Sequence, residues 1–281
     1  MAIKIVTDST CDLPEPVVRD LNISVIPLYI NIGDKGYLDG VDITRADFYR
    51  GLPDFDVHPT TATPSLDTFK SVFDEAVNAG AKQIISIHIS ESLSATVKIA
   101  ESAAHAYKRV PVHVVDSWQL SMGTGFQVEL AAKMAKAGRS VKEILSALKD
   151  LAARTFVAAG LDTLEFLRRS GRMNVFLAGI GSLLQLKPIL TMEHGQPDSE
   201  KVRTAKKAMD RMVEMLKARL PIERLALLHT HAAEKAELFR ARIADLIPNE
   251  PIYSMDITPV IGAHLGPGAV GFAAISRGDR K

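Results

Sequence analysis

The chain has 281 residues, 47% hydrophobic and 24% charged, with a formal net charge of +1. That balance is ordinary for a folded globular chain and gives no electrostatic case for nucleic acid or an anionic membrane. A single cysteine, Cys11, excludes an intrachain disulfide framework and a cysteine-based zinc site.

The first apolar stretch turns polar at Thr7, too early for a signal-peptide core, and no apolar run reaches the roughly 20 residues that span a bilayer. The expectation is a cytoplasmic protein with no membrane span, which leaves room for transient membrane contact. Residues 3–7 read as a short buried strand feeding the polar cluster Asp8-Ser9-Thr10-Cys11-Asp12. Asp12, Leu13 and Pro14 then start a helix. A second apolar run, residues 23–30, reads as one strand. The chain thus opens β-α-β with polar groups at the end of its first strand, where open parallel sheets bind ligands.

Residues 31–40 form a Gly/Asp-rich loop or hairpin, and Thr44 caps a short helix. In His58-Pro59-Thr60-Thr61-Ala62-Thr63-Pro64-Ser65, half the residues carry hydroxyls. Ser65 reads as the N-cap of an amphipathic helix with Leu66, Phe69, Phe73 and Ala76 on its apolar side, ended by Gly80. Turn and capping chemistry alone would explain Thr61 and Ser65. Residues 83–89 make a third strand ending in Ser90-Glu91-Ser92-Leu93-Ser94-Ala95-Thr96, before a helix to about residue 105. Exposed N–H groups and hydroxyls at such a helix start suit an anion. A fourth strand at 112–115 ends in Asp116-Ser117. Helices follow at 126–137 and 141–153, the latter opened by the capping box Ser140/Glu143.

The pattern changes near residue 154. A strand at 155–161 and a short helix lead to the basic run Arg168-Arg169-Ser170-Gly171-Arg172, which is also what a solvated helix end looks like. A strand at 183–192 turns at His194-Gly195. A long helix to about residue 220, a strand at 224–230, a helix at 233–246 and a strand at 252–257 follow. Ile261 to Gly271 reads as a glycine loop carrying His264, or as a tight turn, before a last strand at 269–276. The expected architecture is α/β with two domains: residues 1–153 around a parallel sheet and residues 154–281 an α+β unit with a mixed sheet.

Nucleotide-binding and hydrolase signatures are absent: there is no Gly-x-x-x-x-Gly-Lys-Ser/Thr, no Gly-x-Gly-x-x-Gly after the first strand and no Gly-x-Ser-x-Gly. His229-Thr230-His231 alternates as metal ligands on a strand would, but no carboxylate pattern joins it; no metal is expected. What remains is three hydroxyl-rich strand ends and a loop histidine, groups better suited to holding a carboxylate than to breaking a bond.

Several segments in order resemble the DegV family of bacterial fatty-acid-binding proteins: Asp8-Ser9-Thr10-x-Asp12-Leu13-Pro14, Thr61-Ala62-Thr63-Pro64-Ser65, Leu93-Ser94-Ala95-Thr96, Asp116-Ser117 through Gly125, Leu164 to Arg172, Lys187-Pro188-Ile189-Leu190 and His264-x-Gly266-Pro267-Gly268. The resemblance spans essentially the whole chain. It implies a long-chain fatty acid such as palmitate or stearate between two domains, and no other cofactor. Its carboxylate would meet Thr61, Ala62, Ser94, His264, Gly266 and Gly268. Ala62 stands where the family has serine, Thr63 where it has glutamine and Ala95 where it has glycine, so one head-group hydroxyl is missing. The resemblance further implies that this chain is the binding subunit of a fatty acid kinase and not itself an enzyme: a separate ATP-dependent subunit would phosphorylate the carboxylate. Arg172 and Arg203 are candidate contacts for the acyl phosphate or for that partner, since a guanidinium fork suits phosphate. The competing expectation is a stand-alone enzyme on a small carboxylate or phosphate ester. His264 would be its acid/base, Ser94 or Thr61 its nucleophile, and Asp8 or Asp116 the group that orients the histidine.

Overall fold

A computed structural model describes residues 2–176, 186–248 and 252–278. Four strands, β1 (Ile3–Asp8), β2 (Ser24–Ile26), β6 (Gln83–His88) and β7 (Val112–Asp116), form an all-parallel sheet in the order β2-β1-β6-β7. Parallel strands need crossovers. These include α1 (Glu15–Asp20), α3 (Leu66–Asn78) and α4 (Thr96–Ala106). The run at 23–30 is not one strand. Pro27 has no N–H to give to a ladder, and the chain leaves the parallel sheet there. It resumes as β3 (Tyr29–Ile32), which pairs antiparallel with β4 (Lys35–Leu38) and with β5 (Thr60–Ala62) in a separate three-stranded sheet. Between β4 and β5 lies α2 (Arg45–Gly51), N-capped by Thr44 as expected.

Helices α5 (Met122–Lys136) and α6 (Val141–Ala153) lead to the second large sheet; the Ser140/Glu143 capping box is formed. Its strands are β8 (Thr155–Gly160), β9 (Lys187–Glu193), β10 (Gln196–Val202), β11 (Ile222–His229), β12 (Tyr253–Asp256) and β13 (Val270–Ser276). The order β10-β9-β8-β13-β11-β12 is antiparallel except for the parallel β11–β12 pair, so the sheet is mixed. Short helices α7 (Glu165–Arg169) and α8 (Met173–Phe176) follow β8; α9 (Ala205–Lys217) and α10 (Ala233–Arg242) cover the sheet. Of the strand expected at 183–192, residues 183–185 lie outside the described residues.

One core cluster draws on both large sheets: Ile5 and Ile85 from the first, Val157, Ala226 and Ala273 from the second, with Phe126 between. The two units are therefore packed on shared apolar surface. Among the described residues no helix is long and apolar enough to cross a membrane.

The glycine loop is the main correction. Pro259–Leu265 is a helix, α11, not a loop. Thr258 accepts the Val260 N–H, Pro259 takes the first turn and Gly266 ends the helix at φ +74°. His264 therefore sits in a helix's last turn. The neighbours of α11 come from the N-terminal half: Val260 and Ala263 pack with Leu28, Ile30, Phe48 and Tyr49.

Candidate functional site

The C-terminal ends of β1 and β6, strand β5, the start of α4, the α7–α8 segment and α11 enclose a cavity of about 320 Å³. That volume lies at the small end of the roughly 300–1,000 Å³ usual for ligand sites. The polar groups on its wall include Thr61, Ser94, Arg172 and His264; apolar side chains such as Leu28, Ile89, Leu93, Leu120, Leu167 and Ile261 make most of the rest. Leu120, Ile261 and Leu265 also wall a smaller apolar hollow of about 30 Å³ that reaches Val157, Ala159 and Leu228 of the six-stranded sheet. The wall is thus largely apolar with a few polar side chains, and three of its apolar residues continue toward the six-stranded sheet.

Among the polar side chains, Thr61 Oγ1 lies 3.2 Å from His264 Nε2. Thr61 is there because β5 pairs with β3, and His264 because α11 docks on the same small sheet. The two residues are 203 positions apart, joined only by the tertiary fold. His264 Nδ1 is buried with no partner. Burial, then the charge of Arg172 and then that of His58, lower the His264 pKa from 6.5 to about 4. The ring is neutral near pH 7. With Nδ1 sealed, the tautomer with its proton on Nε2 leaves no buried donor unpaired, so Nε2–H donates to Thr61. The Thr61 proton is then free to face a ligand.

Ser94 Oγ lies 2.8 Å from Thr96 Oγ1 and accepts the Thr96 N–H at 3.3 Å, so it organises the start of α4 as well as lining the cavity. Arg168 and Arg169 both bind Glu165, whereas Arg172 faces the cavity and donates to the Ser170 carbonyl at 3.4 Å. The basic run therefore sorts into two arginines held on their own helix and one in the cavity wall. Ala62, Thr63 and Ala95 also line the cavity.

Of the sequence candidates, the fold brings together Thr61, Ala62, Ser94, Arg172 and His264. Gly266, Gly268 and Arg203 are not on the wall. Gly266 is backed by Phe166 and Gly268 by Asp162, so both shape the exit from α11; Arg203 is exposed beyond β10. Thr10 was not singled out as a site residue but lines the cavity, with its N–H on Asp8 at 3.0 Å and its hydroxyl on the same carboxylate. The strand-end rule pointed to its segment; the apolar wall residues carry no local signal.

The orienting acids of the enzyme reading go elsewhere. Asp8 accepts from His88 Nδ1 at 2.9 Å and from the Ile89 N–H at 3.1 Å, and Asp116 accepts from Trp118 N–H at 2.9 Å. Neither meets His264. His229 Nδ1 lies 2.8 Å from Asp256, and among the described residues no three His, Cys, Asp or Glu side chains gather as metal ligands would.

Comparison with known proteins points one way. A protein-family model described as an uncharacterised protein, DegV family, matches residues 2–277. A DegV domain-containing protein of Listeria innocua is 35% identical over 273 residues, covering 96% of this chain and 96% of that one. The structure of a DegV family protein from Thermus thermophilus, described by its fatty acid binding, superposes with a TM-score of 0.89 at 35% identity, over 99% of this chain and 100% of that one. DegV from Bacillus subtilis, described as a fatty acid binding protein, gives 0.90 at 30% identity with the same coverage.

Proposed function

The chain belongs to the DegV family, and from that membership we propose that it binds a long-chain fatty acid in the cavity between its sheets, carboxylate toward Thr61, Ser94 and His264 and tail among the apolar residues. The observation that carries the reading is the pairing of Thr61 with His264 on the wall of a largely apolar cavity. An ionised carboxylate is costly to bury unless several donors meet it. The Thr61 and Ser94 hydroxyls and the Arg172 charge supply that set, with the His264 Nε2–H holding Thr61 so that its proton turns to the carboxylate. Each methylene of the tail returns about 0.8 kcal/mol when buried.

The finer step is presentation. With neither orienting acid at His264, the chemistry belongs to a partner, and the chain serves as the binding subunit of a fatty acid kinase. Arg172, in the wall beside His264, is the residue suited to the acyl phosphate such a partner would make. Arg203 is exposed and suits a contact with an acidic partner face.

Denaturing the purified protein, extracting lipid and weighing it by mass spectrometry tests the reading. A copurified long-chain fatty acid is expected. After delipidation, palmitate should rebind, and His264→Ala, which releases Thr61, and Ser94→Ala should each weaken it by about tenfold or more, since each costs a hydrogen bond to a charged group worth about 1.5–3 kcal/mol. An empty protein with no affinity for palmitate would reject the proposal.

A further inference from the structure

The cavity uses only part of the Asp8–Asp12 segment. Thr10 lines the wall, but Asp12, equally buried, does not. The Asp12 carboxylate accepts the backbone N–H of Thr258 at 2.8 Å and the Ser121 hydroxyl at 2.6 Å, and pairs with Arg45 at 2.9 Å. Arg45 also donates to the Asp256 carbonyl, Thr258 donates its hydroxyl to Asp39, and Tyr49 donates to the Ile257 carbonyl at 3.1 Å. Each of these bonds to the later segment ends on Asp256, Ile257 or Thr258, the last residue of β12 and the two that lead into α11. Each partner comes from the first 49 positions of the chain, Tyr49 being the latest.

We propose that Asp12 is a positioning residue for His264: by fixing Thr258, the N-cap of α11, from the segment that follows β1, it sets where the last turn of that helix meets Thr61. The inference rests on the reading that the head group lies at Thr61 and His264. His264 lies six residue steps beyond Thr258, about 9 Å of rise, too short a rod to absorb an error at its base. The chemistry argues for placement over adhesion. A buried ion pair docks a helix less favourably than apolar packing of the same size, and the best-attested use of such a pair is to fix register. Thr10 and Asp12 would then divide one motif, Thr10 facing the ligand and Asp12 placing the opposite wall.

The test is a double-mutant cycle on palmitate binding by delipidated protein. The variants are Asp12→Asn, His264→Ala and the double variant; asparagine tolerates the left-handed backbone that Asp12 adopts at φ +55°. Asp12→Asn should weaken binding about tenfold alone and by less than about twofold once His264 is gone, the signature of coupled sites. An equal loss in both backgrounds makes Asp12 ordinary scaffold and overturns the proposal. The imidazole nitrogen resonances of His264 give a ligand-free readout, which should move in Asp12→Asn; unchanged resonances also overturn it. If Asp12→Asn does not fold, Arg45→Lys keeps the charge but cannot reach both Asp12 and Asp256, and goes through the same cycle with the same two outcomes. Failure of the wild-type chain to bind palmitate rejects the functional reading instead, while the resonance shift still judges Asp12.

Discussion

His264 is a neutral ring on the wall of the cavity, and its titration makes it readable in solution. Burial lowers its folded-state pKa to about 4 from 6.5. Between those values the unfolded chain takes a proton that the folded chain refuses. Its contribution to stability is whole above pH 6.5 and is lost as pH falls toward 4. Asp12 works the other way: burial raises it from 3.8 to about 6, so a penalty present above pH 6 is relieved on acidification. The two overlap, so the wild-type curve alone cannot separate them. Urea unfolding of His264→Gln beside wild type at pH 7 and pH 5 does: the advantage of wild type should shrink at the lower pH. Parallel pH dependence in the two proteins would remove His264 as the titrating group. The sequence offers this histidine as a candidate and says nothing of its protonation state. Its lowered pKa comes first from burial of the ring and then from the charges of Arg172 and His58, which meet only in the folded chain.

Helix α11 shows why a short element escapes a reading by periodicity. Seven residues give less than two full turns of apolar spacing, while Gly262 and the glycines after Leu265 imitate a loop. Thr258-Pro259, an N-cap followed by a proline in the first turn, is the local signal of this helix, and the expectation of a glycine loop did not use it. Gly262 has a packing reason to be there. A Cβ at that position would overlap the Tyr49 hydroxyl and ring, and Tyr49 is buried on α2 with nowhere to retreat. Gly262→Ala should therefore destabilise the protein, despite alanine's better helix propensity, by about 1–3 kcal/mol from overpacking. It should also weaken palmitate binding by moving His264. Thermal unfolding with calorimetric titration checks both, and a more stable Gly262→Ala variant would show that α11 is not seated on Tyr49 as described. Strand β5 is the converse case. Thr60–Ala62 looked like turn chemistry because three residues have no period, and only the ladder to β3 makes them a strand.

Alternation of strands and helices in the first half, and hairpin-joined strands in the second, made the parallel and mixed sheets legible because each rests on local pattern. How the sheets pack was not legible, because Phe126, Val157 and Ile85 become neighbours only through long-range assembly. A ligand in this cavity touches both halves: Ile89 and Leu93 follow β6, while Ile261 and Leu265 lie on α11 and continue to the hollow against β8 and β11. Binding should therefore stabilise the molecule as one unit. At a free palmitate concentration about 100 times Kd, mass action adds about 2.7 kcal/mol. At roughly 2–4 °C per kcal/mol for a chain of this size, the midpoint should rise by about 5–10 °C. Amide exchange locates the effect: added palmitate should slow exchange at the end of β6, through the start of α4 and along α11 together. Protection confined to one sheet would place the ligand outside the shared cavity. Joint protection that disappears in His264→Ala, with the apolar walls intact, would show the carboxylate anchor holding the tail in register between the sheets.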